Sequence, residues 1–149
     1  MLRRRELLGL GVAAVSVTAA RKLAAATHED GPLDALGVHA GAQFGGCSVR
    51  AVDRLADGAV RVSMVGAGGP FYVEVLAHDP RFPAVASAGS VAVYVLNDGA
   101  GRTRTVEEHG LAAMELASHL ARAAAAGGRL PALPSMGDRS SRGTGRART

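Results

Sequence analysis

Three places in the chain carry residues whose chemistry is worth asking about: His78-Asp79, Glu108-His109 and Cys47. An imidazole beside a carboxylate can serve as a general base or a metal ligand. His78-Asp79 follows an alternating run, where a loop would present both to solvent. The competing reading is that Asp79-Pro80 simply initiates a turn. His109 falls on the apolar side of a helical pattern; with Glu108 and a sheet residue it would make a metal site. The plainer reading is a buried or partly exposed imidazole. Cys47 is the single cysteine, so no intramolecular disulfide is possible. Its thiolate would be a nucleophile or, with Met64 or Met114, a soft copper ligand. As a lone cysteine at a strand start it reads more simply as a small apolar core residue. Zinc-finger spacing, haem attachment, Ser-His-Asp, G-x-S-x-G, H-E-x-x-H and EF-hand patterns are all missing. "GAGGP" (66–70) and "DGAG" (98–101) lack the lysine and setting of a phosphate cradle and read as turns. The inventory names no catalytic residue and requires no cofactor.

The elements that would position these residues start at Cys47. In "AVRVSMV", Val60, Val62 and Met64 share a face, with Arg61 and Ser63 opposite. Asp57-Gly58 lies between this run and "CSVRAVDRL", a strong hairpin signal because both turn residues tolerate positive φ. "FYVEVLA" puts Phe71, Val73 and Val75 on one face and Tyr72, Glu74 and Leu76 on the other. "SVAVYVLN" (90–97) is apolar on both faces and reads as a central strand. A helix follows from Thr105 to about Ala126, opened by the capping-box pattern Thr105…Glu108 and stopped at Gly127-Gly128. His109, Ala113, Leu116 and Leu120 share its apolar face; Glu108, Glu115 and His119 lie on an adjacent polar one. The expected fold is α+β: a small four-stranded, mainly antiparallel sheet with one C-terminal helix on a face and flexible ends. The domain spans 46–128, with a linker or arm at 27–45 and a disordered basic tail at 129–149. The second sheet face, with Tyr72 and Leu76, is expected to await a partner.

Composition bounds the partners. The 149 residues include 20 Gly, no Trp, two Tyr and three Phe, so the core must be built from Val, Leu and Ala. The net charge of +4 belongs to the ends: residues 1–26 and 127–149 each carry +4, and residues 27–126 carry −4. With no basic face on the domain and no stacking aromatics, nucleic acid is not an expected partner.

Residues 1–26 divide into a cationic start, an uncharged apolar stretch from Leu7 to Ala20, and small residues. The apolar stretch would extend about 21 Å as a helix, short of the ~30 Å hydrocarbon core of a bilayer. Arg4-Arg5-Glu6-Leu7-Leu8 resembles the twin-arginine translocation (Tat) signal: two arginines, a variable residue, then two large apolar residues. Arg3 stands where Ser or Thr often precedes the pair, and Gly9 where Lys often follows. Ala24-Ala25-Ala26 fits an Ala-x-Ala cleavage site, with Ala24 and Ala26 as the small residues and Thr27 as the new terminus. The resemblance implies a bacterial protein exported already folded by the twin-arginine machinery. It would touch the membrane only during export and reside in the periplasm or outside the cell.

Such an address, a sparse catalytic inventory and a half-covered sheet together suggest a non-catalytic accessory or assembly subunit of a larger extracytoplasmic redox or metal enzyme. The alternative is a small metal-binding protein or metallochaperone. The signal, the few strands, the helix and the Leu-Pro ending are similar in outline to the small copper-delivery partners of bacterial tyrosinases. The chain departs from their His-rich pattern, carrying only His28, His39, His78, His109 and His119.

Overall fold

The computed structural model describes residues 31–96 and 103–144, with side chains left out at 103–106 and 143–144. The signal-like residues 1–26, the start of the arm (27–30), the stretch 97–102 and residues 145–149 lie outside the described part. A 3-10 turn at Asp34–Leu36 leads to β1 (Gln43–Phe44), β2 (Cys47–Arg54), β3 (Val60–Gly66), β4 (Gly69–Ala77), β5 (Ala86–Ala88) and β6 (Val91–Leu96). Helix α1 (Thr103–Ala125) and helix α2 (Met136–Thr144) complete the chain. The strands form one curled antiparallel sheet in the order β1-β2-β3-β4-β6-β5. The fold is α+β, with six strands where four were expected and a second helix. The two extra strands have two and three residues, too few for alternation to register.

Alternation in β3, β4 and β6 puts one apolar row against α1. Val62 pairs with Val73 and Val75 with Val93, and these join Met64, Phe71, Leu116 and Leu120 in a core from which water is excluded. Small side chains hold this core together, so sheet and helix must approach closely. Gly45 marks one such close approach to the helix backbone: its φ is +56°, and a Cβ there would stand 2.6 Å from the Ala112 backbone nitrogen. The hairpin at Asp57-Gly58 forms, but only Gly58 takes positive φ. Leu55 N–H donates to Ala59 O, and the Asp57 carboxylate accepts from Ala59 N–H at 3.1 Å. The loop is therefore a three-residue turn with glycine at the left-handed position. Helix α1 ends where expected, with Gly127 at φ +97°. Gly128 N–H donates to Ala123 O and Gly127 N–H to Ala124 O, the paired bonds of a Schellman cap.

Two expectations are corrected. The segment 31–45 is not a free linker, because Leu33, Leu36, Val38 and Phe44 are buried in the core. The described part of the tail, 129–144, is ordered and covers part of the second sheet face. Pro134 O accepts from Ala77 N–H at 2.9 Å, and Leu130 and Leu133 pack on the core. Ser135 and Asp138 cap α2 reciprocally: Ser135 N–H donates to Asp138 Oδ2 and Asp138 N–H to Ser135 Oγ. Leu76 is fully buried, not exposed as expected; Tyr72 does remain exposed.

A buried charge also holds the tail. Glu74 sits on β4 with only 4 % of its surface exposed, and a carboxylate so placed must be paired. Arg61 Nη2 donates to Glu74 Oε1 at 2.9 Å, and Arg139 of α2 donates to Oε2 through Nη1. Arg139 also reaches Asp57 through Nε at 2.6 Å. Arg139 is the more sheltered of the two cations, its side chain 24 % exposed against 40 % for Arg61, so its pairing is less screened.

Replacing Arg139 by Ala should lower unfolding free energy by about 1–3 kcal/mol, below the usual cost of orphaning a buried charge because Arg61 remains. Urea titration beside the exposed Arg142→Ala control checks this; equal midpoints for the two variants would remove Arg139 from its structural role.

Candidate functional site

The residues that sequence singled out for chemistry are mostly occupied with the chain's own backbone. Glu108, read from sequence as part of a capping box, serves a neighbouring turn. Its carboxylate accepts from Ala67 N–H at 2.7 Å and Gly68 N–H at 3.3 Å, closing the β3–β4 turn onto α1. Glu115, two helical turns on, accepts from Gly45 N–H at 2.5 Å and closes the β1–β2 turn in the same way. His119 Nε2 bonds Leu36 O at 2.6 Å, so its proton lies on that nitrogen when the ring is neutral. Three polar side chains on one face of α1 thus pin three separate loops.

His109 stacks on Phe71, ring centroids 3.8 Å apart at 18°. Cys47 is buried and lies against Glu108, beside Gly66. A Cβ on that glycine would come within 2.5 Å of Glu108 Oε1 and 2.9 Å of Cys47 Sγ. Burial pushes the Cys47 thiol up to about 11, and the Glu108 carboxylate adds to the shift by charge and by hydrogen bonding. A protonated, enclosed thiol is neither a nucleophile nor a good soft ligand. Met64 is in the core and Met114 is exposed on the outer side of α1.

His78 and Asp79 part company. His78 is exposed, and its backbone N–H is tied to Ser90 O. Asp79 turns inward, accepting from Arg81 Nε at 3.0 Å, Nη2 at 2.7 Å and the Arg81 N–H at 3.1 Å. It also accepts from Gly137 N–H in the first turn of α2. The Arg81 side-chain bonds dominate in holding its carboxyl down to about 2. Of the five candidate metal ligands, Cys47 and Glu108 come together and His78 and Asp79 do not act as a pair. Among the described residues no three His, Cys, Asp or Glu side chains converge on one point.

What the sequence did not indicate is a groove between β1 and the outer face of α1. Gln43, Phe44, Met114, Glu115, Ser118, His119 and Arg122 line about 420 Å³ open to solvent. Phe44 and His119 meet edge to face at its base, centroids 5.2 Å apart. Met114, 56 % exposed, and Leu111, 48 % exposed, form an apolar ridge on the same helix. No spacing rule finds such a place, because β1 and α1 are about seventy residues apart in the chain and meet only through tertiary packing.

Two outcomes are expected. The Cys47 thiol should resist Ellman's reagent at pH 8 in the folded protein and react at once in denaturant. Glu108→Gln should bring its pKa down only part of the way, since burial is the larger cause; reaction at the free-thiol rate in the native protein would contradict the placement. Asp57, Asp79 and Asp138 all have lowered pKa values, so their stabilisation is complete above the unfolded-state value of about 4 and is lost as pH falls toward 2. Asp79→Asn should flatten that part of a stability-against-pH curve, and an unchanged slope would show that the Asp79 contacts do not matter in solution. No family model, curated protein or solved structure matches the chain.

Proposed function

We propose that the protein is a non-catalytic accessory or assembly subunit of an extracytoplasmic redox or metal enzyme, exported through the twin-arginine route. The observation that carries the reading is where its polar chemistry goes. Glu108, Glu115 and His119 are spent on backbone groups of the chain itself, while the helix that bears them turns Leu111 and Met114 outward beside an open groove. A helix that commits three polar side chains to holding loops and turns two large apolar ones outward is built to be bound. The address in residues 1–26 gives the compartment, and cargo that travels folded commonly accompanies or receives a cofactor before leaving. No helix among the described residues is long and apolar enough to cross a membrane.

The metallochaperone alternative keeps one supporting contact, Cys47 against Glu108, in a place where the thiol is held protonated.

Two measurements separate these. In a bacterial host, Arg4→Lys with Arg5→Lys should abolish export of the chain and retain it in the cytoplasm. Deleting the protein should lower the metal content and activity of a co-purifying enzyme by at least about tenfold, a loss typical of an essential positioning contact. Full loading without it, or export indifferent to both arginines, would defeat the proposal. Calorimetry with Cu(I) and Zn(II) tests the alternative, which needs binding tighter than about micromolar.

A further inference from the structure

We propose that the β1–α1 groove binds an extended peptide segment carrying a carboxylate next to a large apolar side chain. This rests on the accessory-subunit reading and specifies the part of a partner that would be recognised. The groove offers three kinds of contact. Arg122 and Ser118 on α1 and Gln43 on β1 project donors with no hydrogen bond or ion pair among the described residues. A guanidinium in this state takes a carboxylate in paired, charge-assisted hydrogen bonds. Phe44 and the half-exposed Met114 supply an apolar wall, and methionine adapts its shape to what it meets. Glu115 has one oxygen held by Gly45 N–H at 2.5 Å; its second oxygen is left to accept from an incoming N–H.

The occupant follows from this charge pattern. A simple anion would meet Arg122 but be repelled by Glu115 in the same groove. An extended peptide offers both signs: a carboxylate for Arg122 and backbone N–H groups for Glu115, with an apolar side chain between them. The groove is open and not enclosed, and its 420 Å³ is within the roughly 300–1,000 Å³ range of ligand sites, enough for a few residues of chain. The carboxylate can come from an Asp or Glu side chain or from a chain terminus; both present the same group to Arg122.

The test titrates ¹⁵N-labelled full-length protein with three N-acetylated peptides: Ala-Leu-Glu amide, Ala-Leu-Gln as the free acid, and Ala-Leu-Gln amide. Saturable shifts should appear at Gln43, Phe44, Met114, Ser118 and Arg122 with one or both of the first two peptides and not with the third. The peptide that binds identifies the source of the carboxylate. Arg122→Ala should weaken binding at least about tenfold, as expected for losing a charged hydrogen bond. Met114→Ser, which leaves the guanidinium intact, should also weaken it. Absence of saturable shifts up to about 10 mM, weaker than the millimolar end of useful affinities, would overturn the proposal. So would equal binding of all three peptides or indifference to Arg122→Ala in a protein whose thermal melt is unchanged. An enzyme subunit that associates equally with wild type and the Arg122→Ala variant would keep the accessory reading and remove the groove from it. No association with wild type would remove the accessory reading, with the groove still judged by the titration.

Discussion

A carboxylate that cannot reach water sets the terms for the rest of this fold. Glu74 points to the second face of β4, flanked by β3 and β6. Left unpaired there it would cost several kcal/mol. Arg61, directly across the ladder from it, supplies one guanidinium but leaves its own Nε buried with no partner among the described residues. The second guanidinium comes from Arg139, 65 residues along the chain. That contact ties α2 to the second face of the sheet, where Leu76 and Ala92 are fully buried. One acid on one strand thus adds a charged contact to the backbone bond and apolar packing that already hold the C-terminal segment.

The same reasoning explains why this sheet has two polar systems rather than one. On the α1 side the acids face loops, not cations, because a helix packed on small side chains brings its flank within reach of turn amides. Glu108 and Glu115 accept from N–H groups that no strand partner can take, which satisfies turn amides that would otherwise go unpaired. On the α2 side the acids face arginines, because the covering segment is rich in them: the surplus of positive charge in 127–149 meets part of the negative surplus in 27–126.

Legibility in the sequence followed the length of the periodic signal. The four longer strands and α1 were readable because each carries several turns of a period; β1 and β5 were not, being two and three residues long. Leu33, Leu36, Val38 and Phe44 were misread as an arm because four apolar residues at irregular spacing fit no period. The composition of 129–149 points to disorder, whereas its Leu-Pro start, whose sequence allows it to fold back, does pack on the core. Ser135 and Asp138, whose reciprocal bonds open α2, sit at capping-box spacing within a stretch of Gly, Ser and Arg. The candidate residues were found, but their roles were set by tertiary neighbours: Glu108 fits a capping box locally and serves a turn 41 residues away. The groove left no local trace at all.

The order in which the chain emerges gives the Glu74–Arg139 contact one more meaning. Strand β4 is made well before α2, so a growing chain holds a half-compensated acid in its sheet until the closing helix is synthesised. Every truncated product that stops short of Arg139 lacks that pair and leaves Glu74 to Arg61 alone. A fold closed in this way tells a chain that carries its last helix from one that does not by how fully Glu74 is paired.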